Sequence, residues 1–72
     1  MGDCNAYIRE LRFVIEPELL QVYISLDAWG DCPLGIQGWH HKTFPKSVSA
    51  ADVLEKIREG EEEFILWRQE AP

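Results

Sequence analysis

Two stretches of alternating apolar and polar residues, separated by a single proline, constrain the fold of this chain more than any other feature. The second stretch has an apolar residue at every other position, at Leu20, Val22, Ile24 and Leu26. A period of two is typical of a β-strand that buries one of its faces. Pro17 has the fixed φ that the second position of a type I turn needs. We therefore predict that the two stretches form a β-hairpin.

The first stretch, residues 7–15, admits two interpretations. Leu11, Phe13 and Ile15 fall on one face of a strand, with charged or apolar residues between them. Ile8, Leu11 and Ile15 also lie at the spacing of a helix face. β-Branched and aromatic side chains suit a pleated surface better than a helix, so the end of the stretch favours the strand.

The segment after the hairpin loses all periodicity. Glycines and prolines interrupt it and predict a long loop over residues 28–38, at Gly30, Pro33, Gly35 and Gly38. Weak alternation then returns at residues 39–44 and stops at Pro45, which predicts a short third strand.

A helix and a last strand complete the predicted elements. Ser49, followed three positions later by Asp52, predicts a helix N-cap, and Gly60 predicts the left-handed residue that ends the helix. The run Phe64–Trp67 is apolar at four successive positions and predicts a strand over residues 63–69 with two buried faces.

These elements predict an α+β fold in the order β-β-β-α-β. A helix between the third and fourth strands makes those strands parallel, so we expect a small mixed four-stranded sheet with the helix packed on one face. A length of 72 residues leaves room for one domain. We expect that domain to span residues 1–72, with flexible ends at residues 1–6 and 70–72.

The charge of the chain argues against several classes of partner. Thirteen acidic residues against seven basic ones give a net charge of −6. An acidic protein repels nucleic-acid phosphates and anionic membrane surfaces. The sequence also has no apolar run of the roughly 18 residues that a membrane-spanning helix requires. We therefore expect neither nucleic acid nor a membrane as a partner.

The cysteine content bears on the compartment. Cys4 and Cys32 allow at most one internal disulfide, whereas small secreted domains stapled by disulfides carry more cysteines. The N-terminus has no basic region followed by an apolar stretch, which a secretory signal would need. We therefore expect a cytoplasmic location.

Residues able to do chemistry are present, but their spacing is not that of a catalytic or metal site. Neighbours on a strand point to opposite faces, so His40 and His41 do not easily converge on one substrate or ion. Cys32 with Asp31 and a histidine would form a weak metal set, without a second cysteine or a histidine pair. No pattern places a base and an anion-stabilising group beside Cys32. We therefore expect no enzyme activity, no metal and no cofactor.

Three tryptophans in a chain this short suggest a binding role, because tryptophan is enriched in binding hot spots. Trp29 and Trp39 flank the predicted loop and could wall a shallow cleft, with three further side chains at its rim and Cys32 in the loop. The rim residues are Tyr23, His40 and His41. The alternative is that the two tryptophans only plug the open end of the sheet.

The predicted last strand suggests self-association. One helix covers one face of a sheet, so the second apolar face of residues 63–69 needs either loops and tryptophans or a second subunit to cover it. We expect a homodimer whose interface includes Phe64, Leu66 and Trp67.

Three functional hypotheses follow. The first is a non-catalytic interaction or regulatory module that presents an acidic, aromatic-bearing surface to another protein. The second is a small-molecule binding protein with a shallow pocket at residues 28–41, suited to a cationic or planar aromatic ligand. The third is a minimal enzyme that depends on His40 or His41, assembled across a dimer interface.

Overall fold

A computed structural model describes residues 2–72 as three β-strands, one α-helix and a short 3-10 turn. The elements are β1 (Cys4–Ile15), β2 (Leu19–Gly30), β3 (Gly38–Pro45), α1 (Ala50–Glu59) and the 3-10 turn Phe64–Leu66. The strands form one antiparallel sheet in the order β1-β2-β3, so β2 is central.

The first two strands form the predicted hairpin. The backbone amide of Glu16 donates to the carbonyl of Leu19 at 2.9 Å and closes the turn around Pro17. The strand interpretation of residues 7–15 is confirmed, and β1 starts earlier, at Cys4. The register shifts by one residue between Ile8 and Glu10, which marks a β-bulge at the residue between them. This bulge explains why the first stretch also resembles a helix, since it breaks the period of two.

The core lies on one face of the sheet. The apolar row of β2 is buried there against two residues of α1, Val53 and Ile57, and against Phe44 and Trp67. α1 has the predicted ends. The Ser49 hydroxyl accepts a hydrogen bond from the Asp52 amide at 3.1 Å, and Gly60 has a φ of 73°, a left-handed value that favours glycine.

The predicted mixed four-stranded sheet is wrong. Residues 63–69 do not form a strand, because Phe64–Leu66 is a 3-10 turn. The turn brings the rings of Phe64 and Trp67 within 5.1 Å of each other on its core side, so these side chains reach the core without a strand. Within residues 63–69, Arg68 alone pairs with the sheet. It forms two backbone hydrogen bonds to His41, of 2.7 and 3.0 Å, and this pairing is antiparallel.

The N-terminal segment and the loop have different bounds from those expected. Met1 lies outside the described residues, and from Cys4 onward the expected flexible segment 1–6 belongs to β1. The expected loop 28–38 is shorter, because its first three residues continue β2. A disulfide between Cys4 and Cys32, with Cα atoms 4.6 Å apart, ties the loop to the start of β1. The sequence left this pairing open.

The molecule is elongated, with extents of 45 × 22 × 18 Å. A strand of twelve residues spans roughly 40 Å, whereas the ten-residue helix spans roughly 15 Å, so α1 covers less than half of the sheet's length. Within residues 2–72, no helix has the length and apolar character needed to cross a membrane.

Candidate functional site

The face of the sheet opposite α1, here called the outer face, carries four of the six residues that the sequence suggested for binding a ligand or partner. The strand register fixes its membership, because paired residues share a face. The outer face carries Tyr7, Glu10, Arg12 and Val14 from β1, Gln21, Tyr23, Ser25, Asp27 and Trp29 from β2, and Trp39, His41 and Thr43 from β3.

The middle of the outer face is an aromatic cluster. The rings of Tyr23 and His41, which are cross-strand partners, stack with centroids 4.3 Å apart and planes 9° from parallel. Trp39 belongs to the next cross-strand pair on this face, opposite Ser25, and is half-buried. The guanidinium of Arg12 lies 6.0 Å from the centre of the Trp39 ring. A cation at this distance from an indole ring is favourably placed.

Hydrogen bonds hold the His41 ring in place. Its Nε2 atom and the hydroxyl of Tyr23 lie 3.0 and 3.1 Å from the side-chain oxygen of Gln21. The amide nitrogen of Gln21 donates to Glu16 at 2.7 Å, which fixes the orientation of the amide. His41 therefore donates from Nε2, and its Nδ1 atom lies 3.4 Å from a carboxylate oxygen of Glu70, without a hydrogen bond.

A second aromatic pair lies at the far end of the hairpin. Tyr7 and Trp29 meet edge to face with ring centroids 5.4 Å apart, and both are at least half exposed. The hydroxyl of Tyr7 donates to Asp27 at 3.0 Å. This hydrogen bond, followed by the negative charge of Asp27, raises the pKa of Tyr7 above its usual value, while Arg9 acts in the opposite direction.

The outer face is acidic at its surface and rim. Glu10 and Asp27 lie on the face itself, and Glu16 and Glu70 reach it through the hydrogen bonds and contacts of the His41 group. Two arginines of β1 act against this charge: Arg12 lies on the face and pairs with Glu10, and Arg9, the residue at the bulge, acts to lower the pKa of Tyr7. Carboxylates among aromatic rings create a negative potential above the sheet.

The structure brings together some of the predicted site residues and separates others. Tyr23, Trp39 and His41 lie together on the outer face. His40 lies on the opposite face, fully buried, with Nε2 2.7 Å from the carbonyl of Ile36 and with Nδ1 lacking a hydrogen-bond partner. Cys32 is held in the disulfide and presents no thiol.

The two loop-flanking tryptophans do not wall one cleft. Trp29 is opposite Asn5 and Trp39 is opposite Ser25. Four residues of β2 therefore separate their positions, which is roughly 13 Å along the strand. Trp29 contacts Tyr7 instead.

The predicted dimer residues have three different environments. Trp67 is a core residue in edge-to-face contact with Phe44, at a centroid distance of 6.0 Å. Phe64 packs against the core, and Leu66 is 77% exposed. These residues therefore do not form one apolar face for a partner.

The candidate binding residues chosen from the sequence omitted four outer-face residues, namely Tyr7, Arg12, Gln21 and Asp27, although alternation placed all but Tyr7 on the polar faces of their strands. Gln21 and Arg12 carried a signal, because alternation from the Pro17 turn places both on the same face as Tyr23. The contact between Tyr7 and Asp27 had no such signal. A hairpin without the bulge would pair Tyr7 with Ala28 instead.

A groove of about 520 Å³ lies along the outer edge of β3, beside the 3-10 turn. Its lining includes Leu66 and Trp67 and an ion pair between Lys42 and Glu62, with nitrogen and oxygen 3.1 Å apart. His41 is the one described residue that lines this groove and also belongs to the pocket expected at residues 28–41. The groove forms only because the C-terminal segment folds back on β3, which no local pattern indicates.

Across residues 2–72, no three or more histidine, cysteine or acidic side chains are grouped so that they could hold a metal ion. No match to this chain was found among protein-family models, curated proteins or solved structures. The geometry of the outer face is therefore the basis for a functional proposal.

Proposed function

We propose that the protein is a non-catalytic interaction module whose outer face binds a basic segment of another protein. The observation that carries this proposal is the sheet face without a helix, where Trp29 is 57% exposed and Tyr23 and Trp39 are half-buried among carboxylates. In the described part of the chain, α1 packs on the other face. Aromatic side chains left accessible on a protein surface are typical of interaction sites, since they combine apolar area with few rotatable bonds.

The charge of the face favours a basic partner. Arginine and lysine side chains are attracted to the faces of tryptophan and tyrosine rings and to nearby carboxylates. Arg12 already takes such a position over Trp39 within the chain. A partner arginine can occupy an equivalent position at Trp29, whose ring is more exposed and lies beside Asp27.

The non-catalytic part of the proposal is supported by three placements. The disulfide removes the thiol of Cys32 as a nucleophile. His40 and His41 lie on opposite faces, so they do not act on one substrate. The proton-bearing nitrogen of His41 is already hydrogen-bonded to Gln21. The small-molecule alternative has less support, because Trp29 and Trp39 do not share a cleft.

The disulfide changes the expected compartment. A cytoplasmic location was expected from the low cysteine count, but disulfides persist mainly in oxidising environments. The Cys4–Cys32 bond fixes the end of the hairpin that carries Tyr7 and Trp29. We therefore propose that the protein works with this disulfide formed, in an oxidising compartment.

The test is a titration followed by amide chemical shifts. The probe is an extended peptide in which arginine alternates with valine, and the control peptide has glutamate in place of arginine. We expect the arginine peptide to shift resonances of β2 and β3 outer-face residues, and the glutamate peptide to shift none. Trp39→Ala should weaken binding by about tenfold or more, whereas Leu34→Ala, at a residue 97% exposed and away from the face, should not.

Three results would contradict the proposal. The first is the absence of shifts with the arginine peptide. The second is a set of shifts confined to the groove along β3, which would move the binding site off the outer face. The third is binding of a single-stranded oligonucleotide in preference to the peptide, which would replace the partner class.

A further inference from the structure

The free edge of β1 is the longest unpaired strand edge in the described chain. β1 pairs with β2 on one side only. In an antiparallel pair, the amides and carbonyls of successive residues point alternately toward the partner strand and away from it. Counting back from the hydrogen bond between Glu16 and Leu19, the backbone groups of Leu11, Phe13 and Ile15 therefore point toward the free edge. Proteins normally shield such edges, because unpaired amides and carbonyls invite pairing with another chain.

The side chains along this edge are unusually apolar for a surface strand. Four large hydrophobic residues of β1 are well exposed, Tyr7 at 50%, Ile8 at 40%, Val14 at 41% and Ile15 at 79%. The charged residues that flank its centre, Glu10 and Arg12, have opposite signs two positions apart. A strand with this pattern is complementary to a second copy of itself.

We propose that β1 pairs antiparallel with β1 of a second copy of this chain, around a two-fold axis that passes between the two Leu11 residues. Leu11 then faces Leu11 of the second copy, with the backbone groups of both turned toward the partner. Glu10 of each chain lies opposite Arg12 of the other, which gives two ion pairs related by the axis. The two sheets join into one sheet of six strands.

The bulge keeps this register consistent on both sides of the axis. It removes one residue from the pairing, as it does in the β1–β2 ladder. On either side of the ion pairs, each apolar residue of one β1 strand therefore lies opposite a residue of the other β1 strand whose side chain is on the same face of the sheet. The pairs are Phe13 with Ile8, Val14 with Tyr7, and Ile15 with Ala6. All four exposed hydrophobic residues gain a cross-strand neighbour.

Two neighbouring registers are worse. An axis at Arg12 places two arginines opposite each other and turns their backbone groups toward β2, away from the partner. An axis at Phe13 places Glu10 opposite Glu16 and limits pairing to the five residues before the turn. Of these three registers, the charge pattern favours the axis at Leu11.

The exposed area of the chain agrees with a missing partner. The surface accessible to solvent is 5103 Å², whereas a folded chain of 8.3 kDa is expected to expose roughly 4,600 Å². The excess is roughly 500 Å² per chain, or roughly 1,000 Å² for two chains, which is close to the lower end of the roughly 1,200–2,000 Å² that specific, stable interfaces bury. This proposal is independent of the basic segment proposed above.

Charge reversal tests the register by sedimentation. The wild-type chain should sediment as a dimer, and Glu10→Arg or Arg12→Glu should each weaken it by roughly tenfold, because like charges then meet twice. A mixture of the two variants should form a heterodimer, since Glu10→Arg supplies only arginines and Arg12→Glu only glutamates at these positions. Ion pairs formed within one chain cannot produce this heterodimer, because in each variant chain the residues at positions 10 and 12 carry charges of the same sign.

Two further measurements keep the proposal falsifiable. Leu66→Lys, at an exposed residue of the 3-10 turn, should leave the dimer intact, and its loss would place the interface at the C-terminal segment instead. In the wild-type chain, amides of Leu11 and Phe13 should exchange with solvent more slowly as concentration rises. A monomeric wild type at high concentration, unchanged exchange of these amides, or no heterodimer in the mixture would overturn the proposal.

Discussion

The same two strands are stabilised in different ways at the two ends of the molecule. In the half covered by α1, Val22 and Ile24 of β2 are completely buried, with Val53 and Ile57 of the helix in the same cluster. In the far half, β1 and β2 continue without a helix, and Tyr7, Ile8 and Trp29 are exposed. There the disulfide between Cys4 and Cys32 closes the end of the hairpin.

This difference shows how a small chain can keep aromatic side chains accessible at its surface. Burial of apolar side chains stabilises a strand pair but removes those side chains from contact with partners. A covalent link stabilises the pair mainly by restricting the unfolded chain, so it consumes little side-chain surface. The far half therefore retains an accessible aromatic pair, Tyr7 and Trp29, on a fixed backbone.

The largest predicted effect separates two tryptophans. Trp67 is 7% exposed and Trp29 is 57% exposed. Trp67→Ala should lower the free energy of unfolding by about 4 kcal/mol, since it leaves a cavity between Phe44 and Phe64. Trp29→Ala should lower it by about 1 kcal/mol or less. Chemical denaturation of both variants checks this.

That pair of variants is a strict test of the comparison. A domain of this length has a total stability of roughly 4 to 11 kcal/mol, so the expected loss at Trp67 is at least about a third of that stability. Equal losses at the two tryptophans would show that the far half is packed as tightly as the core, and would remove the distinction between the halves.

The second prediction concerns the disulfide. Replacing Cys4 and Cys32 with serine should lower the free energy of unfolding by about 3.5 kcal/mol, given that they are 28 positions apart. The loss should be uneven along the strands. In hydrogen exchange, the amides of residues 4–8 and 26–30 that are hydrogen-bonded across the hairpin should lose most of their protection, whereas Val22 and Ile24 should retain most of theirs. The oxidised wild type is the reference, and a uniform loss of protection would contradict the prediction.

Much of the covered half could be predicted from the sequence, because its signals are local. The apolar row Leu20, Val22, Ile24 and Leu26 needs only a period of two. The helix ends at Ser49 and Gly60 follow from capping chemistry within a few residues. Such signals depend on neighbours in the chain and hold whatever the tertiary structure is.

The far half and the C-terminal segment depend on contacts that are distant in sequence. The pairing of Cys4 with Cys32 requires a register that extends to the end of the hairpin. An apolar run such as Phe64–Trp67 fits a buried strand or a tight turn equally well, and only its packing against Phe44 decides. For the candidate site, Tyr23, Trp39 and His41 were predicted, but Tyr7 depends on the bulge.

The smallest predicted effect is electrostatic and probes the far half alone. The hydroxyl of Tyr7 donates to Asp27, and this hydrogen bond raises the pKa of Tyr7 above 10.0. A raised pKa means that the folded chain binds this proton more tightly than the unfolded chain does, which stabilises the fold. The stabilisation is fully present at pH values below the pKa of Tyr7 in the unfolded chain. It is lost as the pH rises through the pKa of Tyr7 in the folded chain.

Asp27→Asn removes both the carboxylate charge and the stronger acceptor, so the pKa of Tyr7 should fall toward 10.0. We expect the phenolate absorbance of Tyr7, assigned by difference from Tyr7→Phe, to develop at lower pH in the Asp27→Asn variant than in the wild type. The fall in melting temperature between about pH 9 and about pH 11 should become smaller for the same reason. Identical titration of Tyr7 in both chains would mean that the hairpin end is open in solution, in which case the disulfide alone does not order it. The far half would then present Tyr7 and Trp29 as separate side chains and not as a preformed pair.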